Sequence, residues 1–141
     1  MRGRRAGVVL RFVIGLVLSA TGLGKLLDLR GFAGVLRTYE AFPEGALLPL
    51  ALAIPLAELA LTLWLFSGRR LAGAAIAAVA IHAGYAGWSA VSLMRGLKLS
   101  NCGCFGVFLA RPLDWATVAE DLVMVGLSVW LLGAARAGER S

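Results

Sequence analysis

Residues 71–94 read LAGAAIAAVAIHAGYAGWSAVSLM, an apolar run with no formal charge along its whole length. A helix of this length rises about 36 Å, which is enough to cross the roughly 30 Å hydrocarbon core of a bilayer. The rest of the chain has the same character: 60% of its 141 residues are hydrophobic, 16% are charged, and the mean hydropathy is +0.83. A soluble domain carries about 25% charged residues. The composition therefore indicates an integral membrane protein.

Three further apolar runs of similar length occur at residues 6–27, 46–66 and 113–135. With residues 71–94 they use most of the chain and leave no room for a soluble domain. We therefore predict an all-α membrane protein, a four-transmembrane-helix bundle that forms one domain over residues 1–141. The first run is interpreted as a retained helix rather than a cleavable signal peptide, because Arg11 lies inside it and no A-x-A site follows.

The loop between the first two runs contains a short amphipathic segment. Phe32, Val35, Leu36 and Tyr39 recur at helical spacing, so they share one face. This pattern predicts a short interfacial helix that lies at the membrane surface, caps the bundle and ends at Pro43.

Basic residues are densest at one end of the predicted bundle. Arginines occupy the N-terminus, the turn at Gly68-Arg69-Arg70 and the tail from Arg136, whereas the two longer loops carry basic residues more sparsely. The positive-inside rule then predicts cytoplasmic N- and C-termini in a bacterial-type inner membrane. The net charge of +6 reflects these anchors, and no basic face interleaved with aromatic residues indicates nucleic-acid binding.

The most reactive element is Asn101-Cys102-Gly103-Cys104-Phe105-Gly106, which holds the only two cysteines of the chain. The predicted topology places it on the extracytoplasmic side, where disulfides persist. A disulfide across one intervening residue closes a small, strained ring, and strained disulfides exchange readily. Gly103 lets the backbone bend and Gly106 releases it afterwards, while Arg95 and Lys98 are expected to favour a thiolate at one sulfur. The pattern favours redox exchange over a permanent staple, and leaves open which sulfur attacks.

Other interpretations of the cysteine pair stay open. Two thiolates suit Cu(I), so copper or small-molecule handling is one alternative. Zinc requires two more ligands, and we assign no metal ligand from the sequence. A non-catalytic membrane scaffold or assembly factor, in which the pair only shapes its loop, is the other alternative.

Ionisable residues inside the predicted helices are further candidates, because a charge in lipid is costly unless it is paired or faces a cavity. Arg11 and Glu58 lie at similar predicted depths, which predicts an ion pair. His82 and Asp121 are also close in depth, so a relay from them toward the cysteines or toward a quinone is a hypothesis. Lys25 is expected to extend to the headgroups, with stabilisation of a thiolate as the alternative.

Several of these pieces occur together along the chain. They are Gly22-Leu23-Gly24-Lys25-Leu26-Leu27-Asp28, Tyr39 with Pro43, Pro55-Leu56-Ala57-Glu58, Cys102-Gly103-Cys104-Phe105-Gly106, and Trp115 with Asp121. Over nearly its whole length the chain resembles the MauE family of methylamine-utilisation membrane proteins, within the DoxX-like group of four-helix membrane proteins. The Cys-Gly-Cys-Phe-Gly element is the most specific part of this resemblance.

The resemblance implies a function. MauE-like proteins are associated with maturation of the disulfide-rich small subunit of methylamine dehydrogenase, alongside a thioredoxin-like partner. We therefore expect an integral membrane thiol–disulfide redox protein that supports maturation of extracytoplasmic proteins, with Cys102 and Cys104 as its catalytic residues. The residues expected to support them are Gly103, Phe105, Gly106, Lys25, Glu58, His82 and Asp121.

The expected partners follow from the predicted membrane helices and from the family resemblance. They are the lipid bilayer, a thioredoxin-like protein and an extracytoplasmic disulfide-containing client. A quinone is the candidate cofactor, and no other cofactor is expected. Small residues recur in the third run, and their spacing suits either close packing of helices or formation of a homo-oligomer.

Overall fold

The computed structural model describes residues 2–140, and its regular structure there is helical throughout. The five helices are α1 (Arg2–Leu26), α2 (Leu29–Thr38), α3 (Glu44–Ser67), α4 (Leu71–Met94) and α5 (Trp115–Glu139). All except α2 are long and apolar enough to cross a membrane. The predicted all-α four-helix membrane bundle is confirmed. Met1 and Ser141, the ends of the predicted 1–141 domain, lie outside the described residues.

Some predicted helix ends need correction. The first membrane helix begins at Arg2 instead of residue 6, since the arginine-rich start continues the helix beyond the apolar run. The last begins at Trp115 and continues to Glu139, because the Asp114 carboxylate accepts a hydrogen bond from the Thr117 N–H at 3.0 Å and caps the first turn there. Pro43 does not end α2 but directly precedes α3. An N–H at this position would have no acceptor within the helix, so the absence of one in proline does not disturb α3.

The four long helices pack unevenly. α1 packs mainly against α3, and α5 packs against both α4 and α1, whereas α3 and α4 contact each other much less. In the half of the bundle near the chain termini, the interior is a continuous apolar core of Leu10, Ile14, Leu18, Leu61, Leu65, Ala74, Ala75, Ala78 and Leu131. Exposed apolar side chains such as Leu16, Leu63 and Trp130 form the outer surface, which suits contact with lipid.

Both termini lie at one end of the bundle, because successive long helices run in opposite directions. The α3–α4 turn lies at the same end. The opposite end, which we call the cysteine end, consists of α2 and the loop of residues 95–114.

α2 covers the cysteine end. It begins at Asp28, whose carboxylate accepts a hydrogen bond from the Gly31 N–H at 2.8 Å. Phe32 and Leu36 are buried against α3, and Tyr39, which follows the last turn, is buried as well. The predicted amphipathic helix is therefore confirmed, and its apolar face is used to close the bundle.

Candidate functional site

Hydrogen bonds hold the loop that contains both cysteines in one conformation. The Cys102 N–H donates to the carbonyl oxygen of Arg111 at 2.7 Å, which joins the two sides of the loop. The side-chain oxygen of Asn101 accepts from the Gly103 N–H at 2.9 Å, and its amide nitrogen donates to the Gly106 carbonyl at 3.0 Å. Asparagine is common in turns because its side chain can form such hydrogen bonds with the nearby backbone. The two cysteines are therefore presented by a preorganised turn.

Glycine is required twice in this turn. Gly103 and Gly106 have φ values of +78° and +69°, in the left-handed region that disfavours side chains. A Cβ at Gly103 would lie 2.8 Å from Val35 of α2, and a Cβ at Gly106 would collide with the backbone of Gly24 in α1. The cysteine loop thus fits closely against both α1 and α2.

Cys102 and Cys104 are free thiols that share a hydrogen bond. The pKa of Cys102 is lowered to about 7, mainly by a hydrogen bond from the Cys104 thiol and also by the Cys104 backbone N–H, 3.4 Å from Cys102 Sγ, against the opposing effect of burial. The same side-chain hydrogen bond, together with burial, raises the pKa of Cys104. The arrangement favours a thiolate at Cys102 with the proton retained by Cys104.

The cation that acts on Cys102 is Arg111. Its charge contributes to the lowered pKa of Cys102, and its side chain is held by Glu120 at 2.6 Å. The prediction for Arg95 and Lys98 needs correction. Arg95 donates to the carbonyl oxygen of Tyr39 at 2.9 Å, and Lys98 lines a separate groove between α2 and the loop.

Both cysteines line a cavity of about 450 Å³ in the cysteine half of the bundle. Along α4 its wall runs from Ser89 to Ala80, a rise of about 14 Å. Aromatic rings line the part of the cavity nearest the cysteine end, where the ring centroids of Tyr39 and Trp88 lie 5.4 Å apart. Cys102 is only 9% exposed. The thiols therefore open toward the interior of the bundle, beneath α2.

A buried ion pair forms part of the cavity wall. Lys25 Nζ lies 2.6 Å from Glu58 Oε1, with the two side chains 4% and 0% exposed. Tyr85 donates its hydroxyl to the same carboxylate oxygen at 2.5 Å. Lys25 Nζ also lies 5.7 Å from the centroid of the Phe32 ring. The other oxygen, Glu58 Oε2, is buried with no hydrogen-bond partner among the described residues.

This pair corrects two predictions. Glu58 pairs with Lys25 and not with Arg11, because α1 and α3 are offset along their length. Gly22, near the end of α1, packs beside Leu59, so α3 extends well past α1 at the cysteine end. Arg11 lies instead against the α3–α4 turn. Lys25 does not extend to the headgroups, since the Glu58 carboxylate is within reach inside the bundle.

His82 and Asp121 both line the cavity, yet no hydrogen bond joins them in the described structure. Asp121 Oδ2 accepts from Ser89 Oγ at 3.5 Å. His82 Nδ1 lies 2.8 Å from the Ala78 carbonyl oxygen and 3.3 Å from Ser128 Oγ. The two side chains thus bridge α4 and α5 at separate levels, and a relay between them would need a further group in the cavity.

Sequence reasoning missed two residues of the site. Tyr85 lies three residues after His82 on the charge-free helix, so helical spacing could have indicated that they share a face. Arg111 has no such local signal, because the fold of the loop brings it to Cys102. Tyr39, part of the family resemblance, proves to donate its hydroxyl to the Cys102 carbonyl oxygen at 2.6 Å.

The soft donors of the site are the two thiols, which suit Cu(I). Over residues 2–140, no group of three or more His, Cys, Asp and Glu side chains is placed to hold a metal ion. A small molecule in the cavity would meet the thiols, the Lys25–Glu58 pair and several aromatic rings.

Fold and site together define a multi-pass helical membrane protein with a dithiol that opens onto a cavity between its helices. The family described as Methylamine utilisation protein MauE matches residues 4–134. The chain belongs to this family, which confirms the resemblance found in the sequence.

Three curated relatives carry the name Methylamine utilization protein MauE. The protein of Paracoccus denitrificans is 32% identical over 120 residues, which cover 85% of this chain and 64% of the relative. That of Paracoccus versutus is 33% identical over 132 residues, covering 92% and 71%. That of Methylorubrum extorquens is 30% identical over 126 residues, covering 86% and 67%. The chain thus spans about two thirds of their length, and no solved structure matches it.

Proposed function

We propose that this protein is an integral membrane thiol–disulfide redox protein that supports maturation of extracytoplasmic proteins. The observation that carries the proposal is the hydrogen bond between the free thiols of Cys102 and Cys104, with its opposite effects on their pKa values. A thiolate is the attacking species in disulfide exchange, and an adjacent thiol is needed to resolve the mixed disulfide.

The exchange runs in two steps. The Cys102 thiolate attacks one sulfur of a partner disulfide, which forms a mixed disulfide and releases a partner thiolate. Cys104 then gives its proton to the released partner thiolate and attacks the Cys102 sulfur, which forms the Cys102–Cys104 disulfide and expels the second partner thiolate. That thiolate takes a proton from water, so the partner leaves as a dithiol. In the reverse direction the same steps oxidise a client dithiol.

The proposed partners are a thioredoxin-like protein and an extracytoplasmic client. The names of the curated relatives, together with the family resemblance, support a client of the methylamine dehydrogenase type. We further propose that the cysteine end is extracytoplasmic and both termini are cytoplasmic. Arg5, Arg69, Arg70 and Arg136 at the terminal end of the bundle support this orientation.

Trapping of thiols in intact cells tests the proposal. A mass-tagging alkylator should find both dithiol and disulfide forms of the wild type, in a ratio that shifts with added oxidant or reductant. Cys102→Ser and Cys104→Ser should each abolish the disulfide form and leave the client incompletely bridged. Ser100→Ala, an exposed position in the same loop, is the matched control and should behave as wild type.

The competing function is a membrane scaffold in which the pair only shapes its loop. The hydrogen bond from Tyr39 to Cys102 favours it, since it fixes the loop without using either thiol. A pair that stays in one redox state under every oxidant, with normal client maturation in both serine variants, would establish the scaffold instead.

A further inference from the structure

The cavity beneath the cysteine loop holds a second functional feature. We propose that it binds the ring of a quinone from the membrane, which accepts two electrons from the Cys102–Cys104 dithiol. This inference rests on the redox function proposed above and adds the direction of electron flow, from the client through the cysteines to the membrane.

The size and walls of the cavity suit a flat apolar ring. Its volume of about 450 Å³ falls within the roughly 300–1,000 Å³ typical of small-molecule sites. Phe42 and Trp88 stack with ring centroids 5.3 Å apart, and Ile54, Ile81 and Met124 extend the apolar lining. Both cysteines belong to the same wall, so a bound ring lies beside the reacting sulfurs.

Glu58 and Lys25 supply the polar contacts that a quinone requires. The carbonyl oxygen of a quinone is an acceptor, and the Lys25 ammonium is a donor in the cavity wall. The O–H of the reduced ring is a donor, and Glu58 Oε2 is an acceptor that is buried without a partner. A buried carboxylate oxygen left unpaired is costly, so a ligand that bonds to it gains affinity. The orphaned oxygen therefore points to a ligand that donates a hydrogen bond.

Gly84 marks an entrance from the lipid side. It lines the cavity, it is exposed on α4, and a Cβ built on it would meet no heavy atom within 4 Å. α3 and α4, the two helices on either side of the turn at residues 68–70, contact each other less than the other long helices that pack together. A quinone dissolved in the bilayer can therefore reach the cavity sideways, without passing the cysteine loop or α2.

The reaction balances between the two partners. Cys102 and Cys104 together lose two electrons as one S–S bond forms, and the Cys104 S–H bond gives up its proton. The quinone gains both electrons, that proton and a second proton, which comes from the Cys102 thiol or, when Cys102 is a thiolate, from water, and two O–H bonds form on its oxygens. The hydroquinone then leaves through the same lateral opening.

The test uses the full chain, reduced and reconstituted in lipid nanodiscs, with decylubiquinone as the probe. Mass-tagging measures how fast the dithiol becomes a disulfide. Decylubiquinone should oxidise the wild type, and Gly84→Phe, which fills the entrance, should slow this by about tenfold or more, equivalent to about 1.4 kcal/mol. Gly87→Phe, one turn away, exposed and outside the cavity lining, is the matched control and should stay within about twofold of wild type.

A second reaction separates the two proposals. Oxidised glutathione, which comes from the water phase, should oxidise the wild type and both glycine variants at one rate. Oxidation by glutathione but not by decylubiquinone would overturn the quinone site and leave the redox function standing, whereas oxidation by neither would overturn the redox function itself. Equal decylubiquinone rates in all three proteins would also overturn the site. If Gly84→Phe does not fold, tryptophan fluorescence decides whether decylubiquinone occupies the cavity. Decylubiquinone should quench the fluorescence of the wild type more than that of Trp88→Phe, and equal quenching would overturn the site.

Discussion

Cys102 and Cys104 are chemically unequal although they are one residue apart. The Cys104 thiol and backbone N–H both donate to Cys102 Sγ, which lowers the pKa of Cys102 to about 7. An ordinary cysteine has a pKa of about 8.5, so at neutral pH Cys102 carries far more thiolate than an isolated thiol. In the exchange that we propose, Cys102 is therefore the sulfur expected to attack a partner disulfide, a choice that the sequence left open.

The pH dependence of alkylation tests this inequality. Because the pKa of Cys102 is lowered, its reaction with iodoacetamide should rise through about pH 7 in Cys104→Ser, whose hydroxyl still donates to the sulfur. In Cys104→Ala that donor is lost, and the midpoint should move up toward about 8.5. Mass spectrometry of the modified protein at a series of pH values measures both midpoints. Identical midpoints near 8.5 in the two variants would contradict the assignment.

The cysteine loop depends on its contacts with α1 and α2. Gly106 has a positive φ, and its α-carbon lies so close to Gly24 that any side chain would strike the backbone of α1. α2 covers the loop from above, where Phe32 and Val35 contact Gly103. The loop therefore packs directly against both helices, which restricts the positions that it can adopt.

Gly106→Ala and Gly96→Ala separate backbone strain from this close packing. Both glycines have positive φ, but a Cβ at Gly96 meets nothing within 4 Å. Gly96→Ala should cost about 1 kcal/mol of stability from the left-handed conformation alone. Gly106→Ala should cost about 1–3 kcal/mol more, because α1 and the loop must move apart. Thermal unfolding in detergent, followed by far-UV circular dichroism, measures the difference; equal losses would show that the loop does not rest on α1.

The whole bundle is divided into two halves by its packing. The half near the termini has a solid apolar core, whereas the cysteine half contains the cavity and the Lys25–Glu58 pair. This pair joins α1 to α3 in the wall of the cavity. In a low-dielectric interior, removal of one member leaves a buried charge or an unsatisfied polar group, while joint replacement removes both.

A double-mutant cycle on Lys25 and Glu58 tests this role. Lys25→Met and Glu58→Gln should each destabilise the protein by about 3–5 kcal/mol, since each leaves its former partner uncompensated in the interior. The double variant should lose less than the sum of the two, with a coupling of about 1–3 kcal/mol. Unfolding in a series of detergent mixtures of rising denaturing strength measures the three losses. Additive losses would show that the pair does not stabilise the bundle.

The membrane helices and α2 were predictable because their signals are local. Run length and apolarity identified all four long helices, and the spacing of Phe32, Leu36 and Tyr39 identified α2. The predicted helix ends were less accurate. The Asp114 cap, for example, makes α5 begin after the residue at which the apolar run begins. The prediction of an Arg11–Glu58 pair failed because counting residues from the helix ends assumes that α1 and α3 are level.

The sequence by itself determined the class, the number of spans and the amphipathic helix, and it identified Cys102 and Cys104 as the candidate reactive residues. Composition, periodicity and motif are properties of neighbouring residues, so they can be read without a fold. Only the tertiary structure decided that Lys25 meets Glu58, that Arg111 and not Arg95 acts on Cys102, and that both thiols open onto a cavity. These facts depend on the offset between helices and on the path of a loop, which arise from contacts between residues far apart in the chain.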